Sequence, residues 1–387
     1  MLPKAASRSD GQIAFWVTVV LRAIYTGVAA VAAMVLHPDQ GLIHSNALTD
    51  NLPAPHGLHY ALLGIWERFD TLWFLRIAER GYDQPMAVIY YPLYPVAIRV
   101  VSGLMPAIAA ALVVSTVATF FSFWGLLRLV GSELSADGKL RTLLLVCVWP
   151  TSFVLFAGYA DSLTLALVVW AIVFGREARW EAATVCGLLA GAARPSGVLV
   201  FVPLAIMSLR SRQARSLVVA LTPAGLLSYW GWLRWSGRIS VVEAYRLYQG
   251  MTMVPPWKGL AEALRLIVTE RDALLAIKLS VVILIAVTVL RRGVRGEIPI
   301  EVPIHDRSPV RIEDQAFALA VILQMLMYTG RPLLGAMRYT LMVYPAFLVW
   351  GAYAERWNGK QLCFYSGALA VLNLAWMWAF LRWSLVL

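Results

Sequence analysis

The segment Trp66–Tyr82, WERFDTLWFLRIAERGY, puts carboxylates and arginines among aromatic residues directly after the first long apolar segment. In a chain that is otherwise apolar, this concentration of ionisable side chains predicts where chemistry occurs. A carboxylate within reach of a hydroxyl can act as a general base, and we predict that Asp70 does so. If the segment is helical, Glu67 shares a face with Asp70 and is a candidate second acid. The apolar residues would then form the stripe of a helix at the membrane interface, although a plain surface helix with solvated acids fits the same pattern.

Two further motifs place polar groups beside apolar runs. In YYPLYP, the prolines fix an extended or turned backbone, and Tyr91 and Tyr94 could either bind a sugar or anchor the chain at the interface. In GYADSL, Asp161 precedes an apolar run. It could cap the following helix or provide a second acid that orients the acceptor hydroxyl.

Arg194 and Arg338 lie inside or at the edge of apolar segments. An arginine in such a place needs an anion nearby, and a planar guanidinium suits the oxygens of a phosphate. The alternative is a structural ion pair with Asp161 or another acid. The histidines between residues 37 and 59 have an irregular spacing that fits no zinc template. We therefore predict no metal site and no cofactor.

The amino-acid composition indicates whether the chain lies in water or in a membrane. Hydrophobic residues make up 60% of the sequence and charged residues 14%, where a soluble domain has about 25% charged residues. Several apolar runs reach the roughly 20 residues that cross a bilayer as helix, and no recurring alternation indicates a barrel. We predict an all-α polytopic membrane protein. The net charge of +11 does not indicate nucleic acid, because the arginines flank apolar segments where they set topology and contact lipid headgroups.

We predict a single domain over residues 1–387, a helical bundle with about 9–11 transmembrane segments, some of half length. The candidate spans are Ile13–Leu36, Ala107–Val130, Leu140–Ala157, Leu163–Phe174, Leu217–Leu233, Leu274–Leu290, Gln315–Tyr328, Leu341–Ala354 and Leu362–Leu385. Basic residues then place the N-terminus in the cytoplasm. Residues 37–94 form a large first extracytoplasmic loop with interfacial helices, residues 235–272 form a second, and residues 291–314 form a cytoplasmic loop.

The apolar stretch Ala182–Leu209 is interrupted at Arg194-Pro195. A single crossing would put the basic residues at 210–215 on the wrong side, so the positive-inside rule favours two half-length helices that turn at Arg194 and return. Broken helices are tolerated where they line a cavity. One kinked span with Arg194 neutralised inside the bundle is the alternative.

At these motifs the chain resembles the GPI mannosyltransferase 2 (PIG-V-like) family of the GT-C class of polytopic glycosyltransferases. The resemblance runs in order through FDTLWFLRIAERGY, YYPLYPVAIR, GYADSL, LLAGAARPSG, the 248–257 stretch and MRYTLMVYP. Two departures are Phe69, where the family usually has Trp, and Asp161, where Glu is commoner. The short loops favour a prokaryotic member in a bacterial plasma membrane.

This resemblance implies mannose transfer from polyprenyl phosphate mannose to a glycolipid or glycan acceptor on the extracytoplasmic face. It places the family's acids at Asp70 and Asp161 and its arginines at Arg194 and Arg338. The expected reaction is a metal-independent inverting displacement, with Asp70 on one side of the sugar and an arginine that receives the leaving phosphate on the other. Four aromatic residues are expected to contact substrate: Tyr91, Tyr94, Trp257 and Tyr339.

A transporter or flippase of a lipid-linked sugar is the alternative function. Broken helices with an intramembrane arginine also form substrate sites near the membrane midplane. The carboxylate and aromatic cluster in an external loop favours the enzyme.

Overall fold

A computed structural model of the chain describes residues 4–36, 56–131, 134–293 and 310–384. Part of the predicted first loop, residues 37–55, lies outside these ranges, as do residues 294–309 of the predicted 291–314 loop. Within the described residues, five helical stretches are long and apolar enough to cross a membrane: Asp10–Val35, Ala107–Val130, Ala214–Trp235, Ala273–Arg291 and Gly359–Leu381. The chain is an all-α membrane protein.

The described residues contain seventeen α-helices. They are α1 (Lys4–Val35), α2 (Gly57–Leu62), α3 (Asp70–Arg80), α4 (Leu93–Val101), α5 (Ala107–Val130), α6 (Ala136–Val148), α7 (Asp161–Arg176), α8 (Trp180–Ala193), α9 (Phe201–Ser211), α10 (Ala224–Trp235), α11 (Val241–Gln249), α12 (Pro256–Glu270), α13 (Ala273–Gly293), α14 (Ile312–Met325), α15 (Ala336–Tyr339), α16 (Tyr344–Ala354) and α17 (Gly359–Leu381). Two short strands, β1 (Thr252–Met253) and β2 (Tyr328–Thr329), pair antiparallel.

Small residues let the central helices approach closely, as they do in membrane bundles. A Cβ at Gly125 of α5 would lie 2.7 Å from the Val169 side chain of α7. A Cβ at Gly187 of α8 would lie 2.6 Å from the side chain of Thr222. The interior of the bundle is therefore built around α5, α7 and α8.

The apolar stretch that was predicted to break at Arg194 does break there. Helix α8 ends at Ala193, Arg194 is extended (φ −158°, ψ 154°), and a 3₁₀ turn over Pro195–Val200 leads into α9. A proline disfavours helical backbone at the residue before it, which explains the position of the break. Trp180 at the start of α8 donates a hydrogen bond of 3.0 Å to Gln213, just after α9. The two arms therefore form a hairpin that enters and leaves at the same end of the bundle.

Ion pairs join different helices at one end of the bundle, which we call the basic end. Lys139 pairs with Asp10 at 2.5 Å, and Arg176 pairs with Asp314 at 2.5 Å. Arg210 contacts Glu313 at 3.5 Å. Lys139, Arg176 and Arg210 belong to three basic segments, 128–141, 176–179 and 210–215, which the positive-inside rule places on one side of the membrane. Helix α7 has 16 residues, so Asp161 lies roughly 24 Å from this end at about 1.5 Å per residue. We call the opposite end the site end.

Several predicted spans are shorter than expected. Helix α6 ends at Val148 rather than Ala157, because Trp149 precedes Pro150 and takes extended backbone (φ −56°, ψ 141°). Helix α14 ends at Met325, and α16 begins only at Tyr344. Five helical stretches among the described residues reach spanning length, and two shorter apolar helices are Trp180–Ala193 and Pro195–Ser211. The described residues therefore show five candidate spans, whereas the sequence predicts about 9–11 segments, some of half length.

The region of the first loop also differs from the prediction. The segment Trp66–Tyr82 is not one helix: a 3₁₀ turn ends at Trp66, and α3 begins at Asp70. Most of α3 is buried in the bundle rather than lying along its surface. The second predicted loop, residues 235–272, holds α11, β1 and α12.

Candidate functional site

A cavity of about 390 Å³ opens at the site end of the bundle. It lies between the start of α3, the tip of the α8–α9 hairpin, α11, and the segment from β2 to α15. Its charged lining residues are Asp70, Arg194, Arg331 and Arg338. Aromatic residues form much of the remaining wall: Phe69, Trp73, Phe74, Tyr90, Tyr91, Tyr245, Tyr248, Tyr328 and Tyr339.

Asp70 is placed by a strained residue before it. Phe69 has φ 47° and ψ −117°, a conformation that costs a non-glycine residue about 1–3 kcal/mol. The Phe69 ring is held at 5.6 Å from the ring of Phe380 and 5.1 Å from that of Trp383. This aromatic packing against the end of α17 holds the turn, and the turn directs Asp70 into the cavity.

The two carboxylate oxygens of Asp70 have different hydrogen-bond partners. Arg338 Nη1 donates to Oδ2 at 2.6 Å. The hydroxyl of Tyr90 is 3.4 Å from Oδ1, which is a long contact for an O–H donor. The Asp70 side chain is 26% exposed. Oδ1 therefore keeps acceptor capacity toward the cavity while Oδ2 fixes the orientation of the carboxylate.

Arg338 is held from two sides. It lies on the single turn of α15, which follows Gly335 at φ 73°, and its guanidinium carbon lies 5.0 Å from the centre of the Tyr159 ring. A cation over an aromatic face is attracted by the ring quadrupole. The sequence-based mechanism separated the arginine from the base by a sugar. The structure instead brings Arg338 into direct contact with Asp70.

Arg194 forms a second acid–arginine pair at the tip of the hairpin. Its Nη1 contacts Asp161 Oδ2, its Nη2 donates to the Tyr339 hydroxyl at 3.2 Å, and its guanidinium lies 5.0 Å from the centre of the Tyr339 ring. Asp161 is the first residue of α7 and not its N-cap, which is Ala160. Asp161 is 4% exposed and lies behind Arg194, outside the cavity lining.

The predicted aromatic residues divide into two groups. Tyr91 and Tyr339 line the cavity, and the Tyr91 hydroxyl accepts a hydrogen bond of 2.8 Å from Trp230. Tyr94 does not line it: its hydroxyl donates to the carbonyl of Ala111 at 2.9 Å inside the bundle. Trp257 is 69% exposed on α12 and also lies outside the lining. Tyr94 and Trp257, which were expected to contact substrate, therefore lie outside the lining of this cavity.

Glu67 is also placed away from Asp70. The three-residue spacing predicts a shared face only in a continuous helix, and the turn at Phe69 interrupts it. Glu67 lines a separate pocket with Arg76, Glu79 and neighbouring apolar residues. Burial raises the pKa of the Glu67 carboxyl to about 7, while Arg68 opposes the increase.

Several lining residues were missed by sequence reasoning. Tyr90 contacts Asp70 and stacks on Trp73, with ring centres 5.6 Å apart. Tyr245 and Tyr328 face each other across the cavity wall at 5.9 Å. Arg331 reaches the lining from the segment after β2. Tyr90 could have been found as the neighbour of Tyr91 in YYPLYP, whereas no local pattern signals Arg331.

Among the residues that the structure describes, no group of three or more His, Cys, Asp or Glu side chains is arranged to hold a metal ion. Comparison with models of protein families gives no match, and comparison with curated proteins gives none either.

Proposed function

We propose that this protein is a membrane glycosyltransferase that moves a hexose, mannose in our assignment, from polyprenyl phosphate to a glycolipid or glycan acceptor. The observation that carries the proposal is the Asp70 carboxylate, held by Arg338 through one oxygen and open to a cavity through the other. The arrangement suits a general base, because an acceptor hydroxyl in the cavity can reach a carboxylate of fixed orientation.

The proposed reaction is a single displacement. The acceptor oxygen forms a bond to the anomeric carbon while its proton passes to Asp70 Oδ1. The bond between that carbon and the phosphate oxygen breaks, and polyprenyl phosphate leaves with the electron pair. Attack opposite the leaving group inverts the configuration at the anomeric carbon. In this scheme Arg338 orients the base.

The cavity has further properties of a sugar site. Its volume of about 390 Å³ falls within the ~300–1,000 Å³ typical of small-molecule pockets. Tyr339, which is partly exposed in the lining, offers a flat face with a polar edge that suits the alternating CH and OH groups of a hexose. The Arg194–Asp161 pair fixes Tyr339 from behind through the hydrogen bond to its hydroxyl.

We further propose that the site end faces the extracytoplasmic side of a bacterial plasma membrane and the basic end faces the cytoplasm. The ion-paired arginines and lysine of the basic end agree with the positive-inside rule. A cysteine introduced at the exposed Arg246 should react with a membrane-impermeant maleimide in whole cells. Labelling only after the cells are opened would reverse the orientation.

The function is tested with purified protein in lipid nanodiscs, labelled polyprenyl phosphate mannose and an extract of membrane glycolipids and glycans. We expect labelled product with wild-type protein and loss of that product with Asp70→Asn. Trp257→Ala serves as a control outside the cavity. Full transfer by Asp70→Asn would reject the base, and movement of the donor across liposomes without transfer would favour a transporter.

A further inference from the structure

The cavity contains a cation whose charge is not balanced by a carboxylate. Of the charged lining residues, Arg338 is paired with Asp70 and Arg194 with Asp161. Arg331 is exposed and makes no ion pair with the part of the chain that the structure describes. Once Asp161, which lies behind the lining, is counted with Arg194, the site keeps one unbalanced positive charge, at Arg331.

The paired arginines are poorly placed to receive a ligand anion directly. Arg338 uses Nη1 for Asp70, and its Nε is fully buried. Arg194 uses Nη1 for Asp161 and Nη2 for Tyr339. A phosphate bound by either arginine would share its guanidinium with a carboxylate, whereas the guanidinium of Arg331 pairs with no carboxylate among the described residues.

Arg331 is held at the cavity by a pairing between distant segments. The strands β1 and β2 align Thr252 with Thr329, and Gly330 follows with φ 83°. A Cβ at residue 330 would lie 2.1 Å from the carbonyl oxygen of Gly250. Only glycine fits this close approach. The segment after β2 is therefore fixed to the end of α11, and this contact places Arg331 in the cavity lining.

We propose that Arg331 binds the phosphate of the lipid-linked donor. The inference rests on the proposed function and names the residue that contacts the leaving group. A guanidinium can donate two parallel hydrogen bonds to phosphate oxygens. Arg331 stabilises the charge that develops on the departing phosphate, and it does so without disturbing the two internal pairs.

The test measures binding of short-chain polyprenyl phosphate and of the matching polyprenol, neither carrying sugar, to protein in nanodiscs of neutral lipid. The variants are Arg331→Gln, Arg331→Lys and the control Arg246→Gln. Arg246 is exposed on α11 next to the lining residue Tyr245 but lies outside the lining. Its variant therefore makes the same change in net charge near the cavity. Inorganic phosphate and phosphatidylglycerol are used as competitors.

We expect Arg331→Gln to weaken binding of polyprenyl phosphate by about tenfold or more, in line with a charge-assisted hydrogen bond, and to leave polyprenol binding unchanged. Arg331→Lys should keep part of the affinity because it keeps the charge, and Arg246→Gln should behave as wild type. Inorganic phosphate or phosphatidylglycerol should compete only weakly, because neither carries the polyprenyl chain. An unchanged thermal unfolding temperature of Arg331→Gln would confirm that this variant is folded.

The negative outcomes are distinguishable. If wild type prefers polyprenyl phosphate to polyprenol and Arg331→Gln keeps the full preference, Arg331 is not the phosphate ligand and the proposed function stands. If wild type shows no such preference, the polyprenyl-phosphate donor and the inference fail together. Equal competition by inorganic phosphate or phosphatidylglycerol would show a general anion site and overturn the assignment to the lipid-linked phosphate.

Discussion

Replacing Asp70 by Asn distinguishes a catalytic base from a plain counter-ion of Arg338. Asparagine keeps the size of the side chain and an oxygen that can accept from Arg338 at the 2.6 Å contact, but it cannot take a proton from the acceptor. Loss of a general base lowers turnover by about 10²–10⁴-fold. The Asp70 side chain is 26% exposed, so its lost charge should cost about 1.5–3 kcal/mol, below the ~3–5 kcal/mol of a fully buried pair.

The decisive comparison is between Asp70→Asn and the double variant Asp70→Asn/Arg338→Gln, measured by mannose transfer and by thermal unfolding. The double variant removes both charges, so its unfolding temperature should recover relative to the single variant. If Asp70 is the base, turnover stays low in both variants. Recovery of turnover to within about tenfold of wild type, a difference of about 1.4 kcal/mol, would refute the assignment, because it would mean that Asp70 only neutralises Arg338.

The second acid–arginine pair provides the matched control. Asp161 is 4% exposed and lies outside the cavity lining. Asp161→Asn should therefore destabilise the fold by up to about 3–5 kcal/mol yet reduce turnover, per folded molecule, far less than Asp70→Asn does. An equal loss of turnover in both variants would point to a shared structural role for the two acids.

Three further predictions concern residues outside the site. Burial raises the pKa of Glu67 to about 7. The stability that its protonated carboxyl contributes is therefore fully present below pH 4.5 and is lost as the pH rises through 7. Glu67→Gln should therefore raise the unfolding temperature at pH 8 but not at pH 4.5. Gly197→Ala puts a Cβ 2.0 Å from the carbonyl oxygen of Ala190 and should cost about 1–3 kcal/mol of unfolding free energy, whereas Gly367→Ala, which has nothing within 4 Å, should not destabilise. Trp257→Ala should leave the transfer rate within about twofold of wild type, since exposed side chains contribute about 0.5 kcal/mol or less.

The parts of the structure that the sequence predicts well are those fixed by local chemistry. Apolar length predicts a helical membrane protein, because a bilayer requires backbone hydrogen bonds within each segment. The break at Arg194 follows from Pro195, which disfavours helical backbone at the preceding residue. The common end of Arg176 and Arg210 follows from charge bias, and the ion pairs with Asp314 and Glu313 agree with it.

The errors have a common cause in tertiary structure. Spacing put Glu67 beside Asp70, but the backbone at Phe69 adopts positive φ because its ring packs against residues more than 300 positions further along the chain. Arg331 was missed because its position depends on the pairing of β1 with β2, whose partners are 77 residues apart. Neither effect leaves a local signal.

The two acid–arginine pairs explain why residues of the same type, both embedded in apolar sequence, serve different purposes. Burying a charge pair costs desolvation that the pair itself hardly recovers, so stability alone does not account for either pair. Asp161 and Arg194 join the start of α7 to the tip of the hairpin, and their contact with Tyr339 fixes one wall of the cavity. Asp70 and Arg338 leave a carboxylate oxygen facing that cavity. Exposure of the acid, rather than the presence of the arginine, therefore identifies the pair that can exchange a proton with a substrate.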